Sequence, residues 1–319
     1  MTVPAIFSPN FVVGKMQSWN LVIEHQFRTD WVLRAVYVGT EAYHLPTGVD
    51  LNPGVYSAGS ARLRYPDFAQ ILSYQSMNTA SYNGLEITAE KRFSHGFQFS
   101  SNYTWSKSLD AQSLSNLSWT GAIGDPFNLS WNRGISDQNF TNIWSNTFVW
   151  QTPSLQRYAN KYISLAFGNW EIAGIVDFTS GIPFSISGGS GADNSGALQF
   201  GDRADLTGQP IRAHQGSEGQ WLNQYFNLAA FKENASGTFG DSARNLLKGP
   251  GLAAVNMMFA KNIPFKERYK VQFRWEMFNA LNTPVFSTPT ADPSSPAFGE
   301  IVSSASTPRI MQVALKFYW

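Results

Sequence analysis

Polar and apolar side chains alternate with a period of two along much of the chain, as they do in a β-strand with two different faces. In the segment Tyr269–Phe278, Phe273 and Trp275 fall on one face and the charged Arg274 and Glu276 fall on the other. Charged side chains at successive positions cannot pack a dry core without partners. They suit a polar lumen, with the aromatic face turned to lipid. A soluble sheet would show the same pattern in a single strand, so this segment alone does not distinguish the two.

The same alternation predicts about nine strands, each of the length that a tilted strand needs to cross a membrane. Their predicted ranges are 16–28, 31–44, 80–93, 97–107, 140–152, 169–181, 252–263, 268–280 and 308–319. The segment 69–78 is also β-like, and we expect it to form a short separate strand within a loop. The eleven C-terminal residues, RIMQVALKFYW, are predicted to be the final strand.

The connections between these strands alternate between short and long, as in membrane barrels with short periplasmic turns and long extracellular loops. The short turns are Arg28–Asp30, Ser94–Gly96 and Pro264–Glu267, and the long connections are 45–79, 108–139, 182–251 and 281–307. If the last strand runs toward the periplasm, every short turn and the linker 153–168 are periplasmic, and every long loop is extracellular. The sequence therefore predicts an all-β fold, a transmembrane antiparallel β-barrel with long extracellular loops.

Composition agrees with this prediction. Charged residues make up 14% of the chain and aromatic residues 15%, against about 25% charged in ordinary soluble domains. Charges nearly balance at a net +1, which gives no reason to expect nucleic acid as a partner. There are no cysteines, and no apolar run has the length of a transmembrane helix. We expect girdle positions for the tryptophans in or beside strands, Trp19, Trp31, Trp105, Trp144, Trp150, Trp170, Trp275 and Trp319.

The first residues, MTVPAIFSPNFVVGK, have neither the charged region nor the apolar region of a signal peptide. About nine strands is also an odd number, whereas bacterial single-chain barrels have an even one. Both features lead us to expect further strands and a signal peptide on the N-terminal side of residues 1–319.

Four stretches of the chain resemble TonB-dependent receptors of the Oar-like type, many of which carry a carboxypeptidase-regulatory-like domain. The stretches are SYNGLEITAEKRFSHGFQFSSNYTWSKSLD (81–110), GNWEIAGIVDFTSGIPFSIS (168–187), RWEMFNALNTPVF (274–286) and FGEIVSSASTPRIMQVALKFYW (298–319). The resemblance implies that residues 1–319 are the C-terminal portion of such a barrel, about nine strands of an expected 22, with the plug and signal peptide absent.

The resemblance also implies location and partners. The bacterial outer membrane would hold the protein, with outer-membrane lipid, the barrel-assembly machinery, the TonB system acting through the plug, and an unknown extracellular ligand as partners. The end of the chain resembles the assembly signal of such barrels, with Trp319 where phenylalanine is usual; its lipid-facing residues would be Val313, Leu315, Phe317 and Trp319. Transport of an unidentified ligand, with no cofactor, is the expected function. The alternative is a surface adhesin or a soluble β-rich carbohydrate-binding protein.

No catalytic constellation stands out, so we do not expect an enzyme. His25, His44, His95 and His214 are scattered along the chain without metal-ligand spacing. The Gly-rich segment 188–206 contains Asp193, Asp202 and Asp205, which are weak candidates for calcium because hard cations prefer carboxylate oxygens. A solvated loop is the favoured interpretation, since the spacing is not that of an EF-hand.

Two further sets of residues allow a functional and a structural interpretation. The first set is predicted to face the lumen, either along a substrate path or in cross-strand ion pairs: Glu86, Glu90, Arg92, Lys270, Arg274 and Glu276. The second set consists of loop aromatics that could stack on a ligand or pack the loops together, and packing is favoured: Trp119, Phe127, Trp131, Trp221, Tyr225 and Phe226.

Overall fold

The computed structural model describes residues 5–113, 123–155, 160–189, 193–199, 201–213, 217–265 and 269–319. Trp119, His214 and residues 266–267 of the turn Pro264–Glu267 lie outside the described residues. The strands are β1 (Ile6–Phe7), β2 (Lys15–Arg28), β3 (Trp31–Asp50), β4 (Leu72–Ser94), β5 (Phe97–Asp110), β6 (Gly134–Ile135), β7 (Asn142–Gln151), β8 (Trp170–Thr179), β9 (Pro183–Phe184), β10 (Asp205–Leu206), β11 (Phe231–Lys232), β12 (Leu247–Lys248), β13 (Leu252–Phe265), β14 (Tyr269–Phe278) and β15 (Ile310–Tyr318). The helices are α1 (Leu129–Asn132), α2 (Lys161–Phe167) and α3 (Glu218–Asn223).

The nine long strands form one antiparallel sheet in the order β15-β14-β13-β8-β7-β5-β4-β3-β2. Each long strand pairs with its predecessor among the long strands. The sheet is therefore a simple meander in which every connection joins two adjacent long strands. This confirms the all-β antiparallel fold and the nine predicted strands. The two end strands, β2 and β15, are not paired with each other, so the sheet is an open part of a barrel.

One face of this sheet is apolar and exposed. A single row of directly paired residues crosses six strands, formed by Val313, Trp275, Phe259, Ile172, Trp150 and Phe97. Leu315 is 75% exposed on the same face. Large apolar side chains left outside in adjacent rows are expected where lipid, and not water, is the solvent. The period-two alternation of the sequence thus becomes a continuous apolar belt, which we call the apolar face.

Two glycines within strands make room for aromatic rings on the apolar face. A Cβ atom at Gly39 would lie 2.2 Å from the ring of Trp19, and one at Gly174 would lie 2.5 Å from the ring of Phe148. Glycine is unfavourable inside strands unless something must approach the backbone closely. Here the approaching group is a neighbouring aromatic ring, which covers the backbone that glycine leaves bare.

The prediction of a separate short strand over 69–78 is wrong. From Leu72 onward these residues are the first part of β4, which runs without a break to Ser94, and they pair with the last residues of β3. β3 itself has 20 residues and β4 has 23, so both continue well beyond the apolar face. The register shifts between Ala42 and Pro46 absorb the proline, which cannot donate to the ladder. The extended ladder supports the loops that follow.

The linker 153–168 contains α2, whose first turn is capped by Asn160, with its Oδ1 accepting from the backbone N–H of Ile163 at 2.9 Å. The three helices of the described ranges have 4, 7 and 6 residues. No helix among them is long and apolar enough to span a membrane.

Candidate functional site

Four connections leave the same end of the sheet, after β3, β5, β8 and β14, and contact one another. They cover residues 51–71, 111–141, 180–251 and 279–309. The backbone N–H of Gly54 donates to Ala197 O at 2.8 Å, and that of Tyr225 donates to Gly299 O at 3.0 Å. We call these four extracellular connections together the loop assembly.

The loop assembly has a hydrophobic core of its own. Phe226 is 2% exposed, and its ring meets those of Phe231 and Phe298 edge to face at 5.5 and 5.2 Å. Ile186 is 1% exposed in the same cluster. Burial beside this core raises the pKa of Tyr225, whose hydroxyl donates to a backbone oxygen. The loops are therefore packed by apolar burial in the manner of a water-soluble domain.

A buried arginine joins two of the connections. Arg203 lies with its Cζ atom 3.4 Å from the centre of the Trp131 ring, and its Nη2 donates to Trp131 O at 2.8 Å. Its Nε donates to Ser242 O at 2.7 Å. Burial and repulsion from Arg244 lower the pKa of Arg203 to about 10, against the opposite effect of Asp125, so the group stays charged at neutral pH. Stacking on an indole is one of the few environments in which a buried guanidinium is favourable.

A second arginine connects the loop assembly to the sheet. Arg244 Nη1 lies 2.5 Å from Asp110 Oδ1 at the end of β5, and its Nη2 lies 3.0 Å from Asp137 Oδ1. Nη2 also donates to Ser113 Oγ at 2.6 Å. One guanidinium therefore fixes three chain segments at once, which its planar set of donors makes possible.

Between these two arginines lies a cavity of about 340 Å³. Its walls combine the guanidinium groups of Arg203 and Arg244 with the carboxylates of Asp137 and Asp202 and the apolar Ile186. Asp202 Oδ1 is buried and has no hydrogen-bond partner among the described residues. A small number of polar groups around a partly apolar cavity of this size is the usual form of a ligand site. We call it the loop cavity.

The three acidic residues considered for calcium accept hydrogen bonds from the loop backbone. Asp193 accepts from the backbone N–H of Leu198 at 2.8 Å, Asp202 accepts from that of Ser195 at 2.8 Å, and Asp205 accepts from Ala235 N. No group of three possible metal ligands occurs within the described ranges. The carboxylates are thus turn-forming acceptors, a role that their spacing among glycines also fits.

The loop aromatics pack against other loop residues. Besides its contact with Arg203, Trp131 donates from Nε1 to Gly240 O at 2.7 Å. The Trp221 ring lies 5.2 Å from Tyr225 and 5.4 Å from Phe286. These contacts are those of rings that pack the loops together, and among the described members of the set only Trp131 also lines the loop cavity. Phe127, by contrast, is 73% exposed.

On the polar face of the sheet, part of the predicted lumen set contacts neighbours on β14 and β15. Arg274 Nη2 lies 2.5 Å from Glu276 Oε1, and Glu276 also accepts from Gln312 on β15. Lys270 Nζ lies 4.5 Å from the centre of the Tyr318 ring. The ion pair of Arg274 and Glu276 lies within β14, so the choice between a substrate path and cross-strand ion pairs stays open for these residues.

The other three residues of that set lie on β4. Glu86 pairs with Thr104 and Glu90 with Ser100, which places both glutamates on the polar face. Arg92 lies in the bulge between Lys91 and Ser94, where the register assigns it to neither face. Their place along a lumen stays a prediction.

Two lysines that the alternation did not single out lie on the apolar face, near the periplasmic ends of their strands. Lys91 forms an ion pair with Asp30 at 3.2 Å and donates to Phe97 O at 3.1 Å. Lys261 donates to Gly168 O and lies 5.2 Å from the centre of the Trp170 ring. Long cationic side chains on a lipid-facing surface bend toward the nearest polar layer in this way.

At the C-terminus, Val313, Leu315 and Phe317 share the apolar face, because they pair in register with Trp275, Phe273 and Val271 respectively. Trp319 follows the last strand and is 87% exposed, with its ring 6.2 Å from that of Phe317. The lipid-facing pattern expected for the final strand is thus present. Its role as an assembly signal stays a prediction.

Comparison with solved structures finds the same fold in one outer-membrane transporter. The outer membrane transporter YddB from Escherichia coli matches 99% of this chain at a TM-score of 0.52 and 10% identity. The chain spans about a third (34%) of the YddB chain. Pseudomonas aeruginosa FpvA, bound to heterologous pyoverdines, matches 95% of this chain at a TM-score of 0.46 and 8% identity, over 27% of its own length. A search of curated proteins finds no match.

The family comparison covers nearly the whole chain. The family model described as "Outer membrane beta barrel domain" matches residues 2–312, a range that holds eight complete long strands and the start of β15. Together with the exposed apolar face, this assigns the protein to the bacterial outer membrane and excludes the soluble alternative. The chain belongs to the outer membrane β-barrel domain family.

Proposed function

We propose that residues 1–319 are the C-terminal barrel portion of an Oar-like TonB-dependent receptor, which captures a ligand in its extracellular loops and admits it when the TonB system moves a plug. The observation that carries this proposal is the loop cavity, held open at the extracellular end of the sheet by Arg203 and Arg244. An adhesin needs a broad contact surface, whereas an open-mouthed cavity of about 340 Å³ has the size of a small solute.

The chemistry of the cavity favours a ligand with both hydrogen-bond donors and negative or carbonyl oxygens. Asp202 Oδ1 is a buried acceptor without a partner among the described residues, and a ligand hydroxyl or amine would satisfy it. Arg203 and Arg244 offer cationic hydrogen-bond donors to negative or carbonyl oxygens of the ligand. Peptides, glycans and metal chelates all carry such groups.

The polar face would then line the lumen. Glu24, Glu86 and Glu90 are carboxylates of this face without a hydrogen bond or ion pair among the described residues, so they are available to a plug or a passing solute. Arg274 and Glu276, in contrast, form an ion pair with each other, although Arg274 Nε is buried without a hydrogen-bond partner among the described residues. The energy for transport would come from the TonB system, so the barrel itself needs no nucleotide or redox cofactor.

Uptake measurements test this proposal. Cells with the intact gene, a deletion, and the Asp202→Ala variant are given labelled ferric chelates, peptides and oligosaccharides, with and without a protonophore. We expect one solute class to accumulate only with the intact gene and an energised inner membrane, and uptake at limiting concentration to fall in the variant. Uptake that ignores the protonophore would show a passive pore, and surface binding without uptake would show an adhesin; either result contradicts the proposal.

A further inference from the structure

A second cavity, of about 460 Å³, lies on the apolar face near the extracellular end of the sheet. Its floor is a row of directly paired residues from three adjacent strands, Tyr37, Leu85 and Trp105. Trp105 is 58% exposed and Tyr37 is 40% exposed. The groove is therefore apolar and open toward the surroundings of the barrel, away from the loop cavity.

Aromatic residues with anchored polar groups mark this level of the sheet as a membrane boundary. The Tyr37 hydroxyl donates to Asn83 Oδ1 at 2.7 Å, and the Tyr103 hydroxyl donates to Asn142 Oδ1 at 2.7 Å. Trp144 Nε1 donates to a serine hydroxyl at 2.9 Å. Amphipathic rings of this kind settle where acyl chains give way to headgroups. The floor of the groove thus lies at acyl depth, just below the outer surface.

Basic side chains form the rim above that floor. Lys107 lies two residues beyond Trp105, roughly 7 Å along the strand, is exposed, and has no hydrogen bond or ion pair among the described residues. Lys248 also lines the groove, with its Nζ donating to Thr141 Oγ1 at 2.6 Å. Arg133, in the connection after β5, donates to Thr79 Oγ1 farther up β4 at 2.6 Å. Three cations at headgroup height make this rim positive.

Among the described residues, the acidic side chain on the strands at this rim is Glu41, which accepts from the Tyr43 hydroxyl. Asp137, between the lining residues Ile135 and Asn139, is paired with Arg244. The three cations therefore leave net positive charge beside an apolar floor. We propose that this groove binds a phosphorylated lipid of the outer leaflet, with an acyl chain along Tyr37, Leu85 and Trp105 and a phosphate between Lys107 and Lys248. Basic pockets beside lipid-facing strands or helices recognise anionic headgroups through this combination.

The groove suits a lipid better than a protein partner because the face that contains it is solvated by lipid in the folded protein. Its floor continues the apolar belt without a break, and only its rim is charged. The inference is independent of the transported ligand, since the groove and the loop cavity share no lining residue. A failure of lipid binding would not contradict the proposed uptake function. A failure of uptake would not contradict the lipid site.

Native mass spectrometry of the protein extracted from outer membranes in mild detergent tests the proposal. The probes are a phosphorylated, acylated glycolipid of the outer leaflet and the same lipid after removal of its phosphates. We expect the wild type to retain the phosphorylated form preferentially, and each of Lys107→Gln and Lys248→Gln to lower its retention roughly fivefold. Trp105→Ser should lower retention of both forms. The matched control is Lys232→Gln, an exposed lysine of the loop assembly, which should change neither.

Three results would overturn the lipid site. Equal retention of the two lipids would show unspecific apolar adsorption. Equal retention by the wild type and the double variant Lys107→Gln/Lys248→Gln would show that the rim takes no part. Displacement of the lipid by millimolar inorganic phosphate alone would show that the site recognises a free anion. Circular dichroism and thermal unfolding of every variant ensure that lost binding is not lost folding.

Discussion

The sheet and the loop assembly place large apolar side chains in opposite environments: exposed in the sheet and buried in the loops. In the sheet, large apolar residues such as Leu315 and Val313 are 75% and 64% exposed, and the backbone ladder holds the strands. In the loop assembly, Phe226 and Ile186 are 2% and 1% exposed in a packed core. Lipid contacts the apolar side chains of the sheet, whereas in the loops water favours their burial against one another. Burial of an apolar residue is therefore a sign of stability only in the loop assembly.

Polar groups are buried where the sheet meets the loop assembly. At the junction between the two regions, the upper parts of β3 and β4 bury Thr47, Asp50, Ser73 and Asn78 almost completely. Asp50 holds a guanidinium at 2.7 Å, that of Arg62. A polar group needs a specific partner once it leaves water; Asp50 and Asn78 have theirs, whereas Thr47 Oγ1 has none among the described residues. The comparison thus predicts that the loops are sensitive to lost volume, the sheet to added charge, and the junction to lost partners.

The largest effect is expected in the core of the loop assembly. Phe226→Ala removes a ring that contacts Phe231 and Phe298 edge to face, and should cost about 3–5 kcal/mol of the loop assembly's stability. Limited proteolysis of the protein in native membranes should show faster cleavage of the loops, while the strands stay protected. The matched control, Phe127→Ala, changes a ring that is 73% exposed and should have little effect. Equal cleavage rates of the two variants would contradict a packed loop core.

A charge added to the apolar face should have the next largest effect. Ile87→Lys places an ammonium group near the middle of the belt, where the expected cost is about 2–4 kcal/mol. Thr88→Lys puts the same charge one residue along, on the polar face, and should be nearly neutral. Urea unfolding in lipid vesicles measures both. If the two variants are equally destabilised, the two faces are not in different solvents.

The junction should respond to loss of one arginine. Arg244→Met keeps most of the apolar length of the side chain but leaves Asp110 without its cation, at an expected cost of about 2–3 kcal/mol, reduced because Asp137 is half exposed. The double variant with Asp110→Asn should recover part of the loss, because no carboxylate is then left unpaired. The measurement is the same proteolysis and urea unfolding. Additive effects of the two substitutions would mean that the pair is not coupled.

Most of the sheet is predictable from the sequence because its determinants are local. Every long strand pairs with a neighbour along the chain, and side-chain alternation assigns each residue to a face, as in the row that joins Trp275 to Val313. The alternation fails where a partner comes from another segment. Lys91 and Lys261 lie on the apolar face because Lys91 forms an ion pair with Asp30 and Lys261 donates a hydrogen bond to Gly168 O at the strand ends.

The loop assembly is beyond such reasoning because its contacts are distant in sequence. Arg203 and Trp131 are 72 residues apart, and Arg244 and Asp110 are 134 apart. No periodicity reports a contact of that range. The continuation of β4 through residues 72–79 was missed for a related reason, because its pairing partner is a loop-like segment that contains Pro46. Composition identifies these regions as loops but leaves their packing undetermined.

The smallest expected effect concerns pH and the periplasmic turn before β3. Hydrogen bonds from Ser94 and Lys91 hold the pKa of Asp30 below its ordinary value. A carboxyl group with a lowered pKa in the folded state stabilises the fold above the unfolded-state pKa, and this stability is lost as the pH falls through the folded-state pKa. Asp30→Asn should therefore be less stable than the wild type at neutral pH and should lose less stability on acidification below about pH 4. Urea unfolding at a series of pH values measures the difference. Ser94→Ala, which removes one of the two donors, should give an intermediate profile, whereas a wild-type profile in Asp30→Asn would mean that the turn contributes nothing to the sheet's stability.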